Sequence, residues 1–282
     1  MIGAIIGDVV GSPYEGSALN WVDDRNFPLF ADKWSRFTDD TVLTCATADT
    51  LLNPIKKCRM FMNRYLFSEF YKKWAIKYPN RGYGSGFSEW VDNGGVTINE
   101  SYANGCMMRC SPIALYFSDL EDVQRAALVS ILRTHNSPES IRGVQSIVSA
   151  IHMALHGSTK LQIKAYVEEN FGHMLNMTVE ELRLMPKTTI RCNVTAPQAL
   201  ICFMESTDYE STIRNAVYTK GDTDTIAAIA GSIAEAFYGV RSIPQSMIDE
   251  AKQRLTPEMI ELINKFYNTI GEYHESYCDF II

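Results

Sequence analysis

The sequence predicts an all-α protein. Apolar residues recur every three to four positions in one segment after another, strand-like alternation is scarce, and helix start and stop residues stand where the periodic runs begin and end. In chain order, helices are expected over residues 2–10, 41–52, 59–77, 112–117, 121–133, 139–156, 178–184, 195–205, 209–218, 225–238 and 257–270. The run Val144, Ile147, Val148, Ile151, Ala154 and Leu155 makes one apolar face of the sixth and closes at Gly157. Gly239 stands at the end of another, and Thr256-Pro257 reads as a cap followed by a first-turn proline. Gly3, Gly7 and Gly11 repeat every four residues, stripping one stripe of the first helix so that another helix can approach it closely. Residues 79–90 and 94–105, rich in glycine and aromatics, fit no helix and read as one long irregular connection, a length that usually carries function.

Composition narrows the class. The 282 residues are 46% apolar and 21% charged, with 33 acidic against 26 basic side chains and a net charge of −7, as expected of a globular protein. No linker or low-complexity tract divides them, so a single compact orthogonal helical domain over residues 1–282 is expected. The acidic balance, with no basic cluster beyond the pairs Lys56-Lys57 and Lys72-Lys73, argues against nucleic acid as a partner. Apolar runs are too short to span a bilayer, and Asp8 falls where a signal peptide would be uncharged. A cytoplasmic monomer is the expectation.

Seven cysteines without a C-x-x-C pair read as reduced and structural. Cys106 and Cys110 lack further ligands at zinc spacing, and the His152/His156 pair has Met153 where a zinc protease needs glutamate, so zinc is a minor alternative.

The sharpest chemical feature is a near duplication. Phe37-Thr38-Asp39-Asp40-Thr41 precedes one apolar helix, and Gly221-Asp222-Thr223-Asp224-Thr225 precedes an alanine-rich one. Capping alone would explain one such cluster. Two, if they converge, crowd four carboxylates that repel by roughly 4 kcal/mol per pair about 4 Å apart at an effective dielectric near 20, and so require a cation. Oxygen donors select Mg²⁺, Mn²⁺ or Ca²⁺ over zinc, and two Asp–Thr sets suggest two ions. Asp8 and Glu15, in the segment Gly7 to Gly16, are further acidic candidates; equally, Asp8 reads as a structural acid and Glu15 as a surface residue. His135, just before Ser137-Pro138, caps a turn or lines a pocket.

Taken together and in order, these segments resemble the ADP-ribosylglycohydrolase family. The match runs through residues 3–11, 38–41, Arg81-Gly82-Tyr83-Gly84, Ser101-Tyr102-Ala103-Asn104-Gly105 to Met108-Arg109, Thr134-His135 and 221–225, and spans residue 1 to about 240. Residues 241–282 are then a C-terminal helical extension. The resemblance implies an all-α hydrolase with two Mg²⁺ or Mn²⁺ ions held by Thr38, Asp39, Asp40, Asp222, Asp224 and Thr225. It implies ADP-ribose, bound to a protein side chain or a small acceptor, as the substrate, with the ions holding the hydroxyls of the ribose that is cleaved. Ser101, Tyr102, Asn104 and Gly105, with Tyr83 and His135, would surround the ligand. Glu15 would handle the proton of water or leaving group, with Asp39 or Asp40 as the competing assignment. One departure stands out: the family's second cluster follows two glycines, whereas here Lys220 precedes Gly221. That substitution motivates the alternative of a catalytically silent, metal-dependent ADP-ribose binder.

Overall fold

In the computed structural model, residues 1–16, 22–53, 61, 63, 65–186, 189–272 and 274–282 are described. Among them run fourteen α-helices: α1 (Ile2–Gly11), α2 (Asp39–Leu51), α3 (Leu66–Lys77), α4 (Ser85–Asp92), α5 (Ser111–Tyr116), α6 (Leu120–Ile131), α7 (Pro138–Leu155), α8 (Lys160–Phe171), α9 (Val179–Leu184), α10 (Cys192–Met204), α11 (Tyr209–Tyr218), α12 (Thr223–Tyr238), α13 (Gln245–Lys252) and α14 (Pro257–Gly271). The only β pairing among the described residues is two isolated bridges, Glu100 with His135 and Ala103 with Arg191. The all-α expectation therefore holds.

Helix α1 is the hub. All ten of its residues are buried, as a helix apolar on every side must be. Its main partner is α12, with α2, α11 and α13 also against it. The glycine stripe explains the closeness: a Cβ on Gly7 would lie 2.2 Å from the Ala227 carbonyl oxygen, and one on Gly11 would lie 2.4 Å from Asp224 Cα. α12 in turn packs on α7, α10 and α11, and α2 packs on α3. At the far end of the pair, Glu235 of α12 accepts hydrogen bonds from the Gly3 amide at 2.7 Å and from the Tyr267 hydroxyl at 2.7 Å, which ties α14 to both helices. The C-terminal residues lie on the same body: Phe280 and Ile282 are buried, and the Ile282 amide donates to Asn264 Oδ1 at 2.9 Å.

Three helices escape the periodicity argument. α8 buries only Ile163 and Val167, so it shows no apolar stripe; its signature is instead the Thr159–Gln162 capping box and the left-handed Gly172 at its end. α13 is eight residues long after Pro244. α4 corrects the reading of residues 79–90 as irregular: Ser85–Asp92 is helical with a single buried residue, Trp90, against which Phe87 packs at 5.5 Å between ring centroids. The expected helix start at residue 59 lies outside the described residues, and Leu66–Lys77 is the helical part seen. Gly157 and Gly239 take positive φ, as their helix-ending positions require, and Thr256 caps α14 through the Met259 amide.

Candidate functional site

The end of α1 organises the chemistry. Asp8, fully buried on that helix, accepts from the Thr38 amide at 2.9 Å and hydroxyl at 2.7 Å, and from the Thr41 amide at 3.0 Å and hydroxyl at 2.5 Å. It thus clamps the first turn of α2, which is the structural reading of this acid. Burial still raises its carboxyl, although the four donors pull the other way. Four residues past α1, the chain turns outward and presents Glu15. Gly11 meanwhile lies against the Asp224 backbone and the Gly11 carbonyl accepts from Thr223 Oγ1 at 2.9 Å, fixing the start of α12 beside it.

The two acidic starts converge. Thr225 Oγ1 donates to Asp40 Oδ2 at 3.3 Å, and Thr38 Oγ1 is 3.4 Å from the same oxygen. One carboxylate oxygen each from Glu15, Asp222 and Asp224 lies within 4.8 Å of the others, the one such trio of His, Cys, Asp or Glu ligand atoms among the described residues. Asp39 faces the same space, with Oδ1 about 3.1 Å from where a side chain on Gly82 would begin. Capping does not account for this arrangement. Thr38 caps α2 through the Asp40 amide, but Asp222 makes no side-chain cap bond to α12.

The electrostatic consequence is mutual repulsion. Burial first, then the neighbouring acids, pushes Asp39 up to about 8 and holds Asp40 and Asp224 well above the usual carboxylate range. Glu15 is raised by burial and by Asp222. Asp40 Oδ1 is buried with no hydrogen-bond partner. A buried acceptor without a donor, among carboxylate and hydroxyl oxygens only, fits a hard divalent cation, so the donor set passes this test for Mg²⁺ or Mn²⁺.

Other expected residues are distributed around this centre. Asn104 donates to Asp222 Oδ2 at 2.6 Å and to Thr195 Oγ1 at 3.2 Å, so it supports the acid. Ser101 and Tyr102 stand off it: the Ser101 carbonyl accepts from Ser137 and Ser140 at the start of α7, and Tyr102, 51% exposed, lies under the Arg191 guanidinium at 4.2 Å. Gly105 abuts His135, whose Nδ1 is buried without a partner; burial and the nearby Arg109 cation keep that imidazole neutral. Tyr83 donates to the Tyr78 carbonyl at 2.8 Å and stacks on Phe87. His152 and His156 stack at 4.1 Å between centroids, and His156 Nδ1 faces the His152 carbonyl at 2.8 Å, so they do not converge on an ion.

The sequence left one element unread: a cavity of about 750 Å³ opening beside Glu15 and Asp222. Its walls come from Arg142 of α7, Phe171 to Pro186, Thr189 to Ile201 and Ile226 of α12, with Thr195 and Gln198 among the polar ones. No motif marks it, because its lining is assembled from segments far apart in sequence. Lys220 resolves the departure in the second cluster. It takes φ +67°, the left-handed conformation a glycine would favour, and Gly221 follows at φ +98°.

A family model described as ADP-ribosylglycohydrolase matches residues 1–275. The chain belongs to the ADP-ribosylglycohydrolase family. It is therefore grouped with glycosyl hydrolases of ADP-ribose conjugates. It is similar to ADP-ribosylhydrolase ARH3 of Mus musculus, 28% identical over 317 residues that cover 87% of this chain and 84% of that protein. It is also similar to ADP-ribosylarginine hydrolase Tri1 of Pseudomonas putida, 23% identical, covering 93% and 76%. A solved structure described as an ADP-ribosylglycohydrolase-related protein complex shares the fold, with a TM-score of 0.72, 22% identity and 95% of each chain covered. No helix among the described residues is long and apolar enough to cross a membrane.

Proposed function

We propose that this protein releases ADP-ribose from an acceptor by hydrolysis of the glycosidic bond, and that the reaction depends on divalent cations. The observation that carries the reading is the junction of two acidic helix starts through Thr225 and Asp40, with Asp40 Oδ1 left buried and unpaired. Thr38, Asp39, Asp40, Asp222, Asp224 and Thr225 would hold two Mg²⁺ or Mn²⁺ ions. Bound cations would supply Lewis acidity toward the sugar hydroxyls and water.

The remaining steps belong to the chain itself. Asn104 fixes the Asp222 carboxylate, and the Asp8 clamp fixes the first turn of α2, so the oxygens are set before substrate arrives. The ADP-ribosyl group lies along Tyr83, Ser101, Tyr102, Asn104, Gly105 and His135. Glu15, its acidity weakened by burial and by Asp222, takes a proton from the attacking water and returns one to the leaving acceptor. Asp39 and Asp40 remain as competitors for that role. The alternative of a silent binder rests on Lys220 alone, and Lys220 itself takes the left-handed conformation open to a glycine.

The test is release of ADP-ribose from arginine-linked, serine-linked and O-acetyl conjugates with Mg²⁺, with Mn²⁺ and with chelator. Metal-dependent release is expected, with Asp224→Asn inactive and Glu15→Gln slowed about 10²–10⁴-fold. Undiminished release in the presence of chelator, or from Asp224→Asn, would overturn the metal assignment.

A further inference from the structure

Glu15 and Asp222 line the cavity, Tyr83, Ser101, Tyr102, Asn104, Gly105 and His135 do not, and Asn104 borders its wall by donating to the Ile190 carbonyl at 2.8 Å and to Thr195 Oγ1 at 3.2 Å. A substrate whose ADP-ribosyl group lies along the 101–105 stretch with its scissile bond at the acids has this half-open cavity beside its leaving group. The walls of that place say what the group is. Met177, Leu182, Pro197, Ile201 and Ile226 form its inside, and Ile190, 51% exposed, stands at its rim. Among the described residues, no acid other than Glu15 and Asp222 lines it, and Arg142 does. A guanidinium would find carboxylates only where the sugar sits and a cation on the wall. A serine would leave most of the volume unfilled. His173, nearly fully buried and bonded to Ser146 Oγ at 3.0 Å, adds a neutral polar group, because burial lowers it to about 4. A volume of about 750 Å³ with a mostly apolar lining, into which Thr189, Asn193, Thr195 and Gln198 bring uncharged polar groups, is that of a small-molecule site.

We infer that this cavity receives an uncharged, apolar leaving group of aromatic size, so that the substrate is a small-molecule conjugate of ADP-ribose. The inference rests on the hydrolase reading above and names the acceptor class for it. In the reaction the bond between the anomeric carbon and the acceptor oxygen breaks with its electron pair on that oxygen, which takes up a proton. Water supplies a hydroxyl to the anomeric carbon and gives up its other proton.

The experiment compares three O- or N-linked substrates, a 2-naphthylmethyl conjugate of ADP-ribose, a serine-linked peptide and an arginine-linked peptide, on the full chain and on Ile190→Asp and Met177→Gln. Both substitutions fall on exposed or half-buried positions, so the fold is retained. The naphthylmethyl conjugate should be the preferred substrate, and each variant should lower its kcat/KM by about tenfold, chiefly through KM. Serine-linked cleavage should change by less than about twofold. Cleavage of the serine or arginine conjugate as fast as the naphthylmethyl one, or equal slowing of all three in the variants, would overturn the acceptor assignment and leave the hydrolase standing. No release from any conjugate by the unmodified chain would end the hydrolase reading itself, and the acceptor assignment with it.

Discussion

The start of α2 and the start of α12 carry nearly the same residues, yet the fold supports them in different ways. At α2 the threonines on both sides of the two aspartates donate to Asp8, so that turn is held from beneath by a satisfied buried acid. At α12 the support is backbone contact with Gly11 and the Thr223 bond to its carbonyl, and Asp222 is left to Asn104 and to the cavity. Repeated sequence thus yields one braced set of carboxylates and one that opens toward a substrate. What joins them is α1, which touches both.

The difference can be broken most severely at α1. Gly7→Ala places a methyl group against the Ala227 carbonyl, inside van der Waals distance, and α12 cannot move away without losing its other three helices. A loss of about 3 kcal/mol or more is expected, read by denaturant unfolding. Next comes a contrast between two buried acids. Asp8→Asn replaces one of the two accepting oxygens with an amide N–H₂ that faces donors and should lose about 2–4 kcal/mol. Asp40→Asn removes one repelling charge and should raise the melting temperature of chelator-treated protein by about 2–4 °C, while abolishing the stabilisation that Mg²⁺ or Mn²⁺ gives. Equal destabilisation by both would erase the distinction between brace and ligand.

The pH dependence sharpens the same point. The Asp39 carboxyl is raised to about 8 in the folded, cation-free protein, so the native state binds more protons than the unfolded one between the ordinary carboxylate range and that value. Its contribution is present in full below the unfolded pKa, about 4, and is lost as pH rises through the folded one. Stability of chelated protein should therefore fall from pH 5 to 8, and divalent cations should flatten the slope; thermal melts across that range decide it. The smallest effect belongs to Lys220→Gly, which relieves a left-handed side-chain residue and should stabilise by about 1 kcal/mol.

Much of this was legible in the sequence. Period and caps located eleven of the fourteen described helices, and Thr38-Asp39-Asp40 and Asp222-Thr223-Asp224 announced the acid cluster by repetition. Asp8 and Glu15 could not be told apart, because each is a single acid in one segment and only the bend after Gly11 sends them to different tasks. Asn104 reads as a ligand contact, and its bond to Asp222 is a pairing across 118 residues that no local pattern encodes. The cavity was invisible for the same reason: its wall joins Arg142 of α7, parts of α8 and α9, one face of α10 at Val194, Pro197 and Ile201, and Ile226 of α12, which lie far apart in sequence.

The partnership of α1 with α12 also has a timing. α1 is apolar apart from Asp8 and is made more than two hundred residues before its main partner helix. A growing chain halted before Thr223 already carries Asp8, Thr38, Thr41 and Tyr209, but lacks the α12 backbone that lies against Gly3, Gly7 and Gly11. During synthesis this segment is a sticky, unpaired surface, and contacts of such long sequence separation form late and slowly. The acidic centre, which needs Thr38 to Thr41 and Asp222 to Thr225 together, is therefore complete only once the α1–α12 pair has formed.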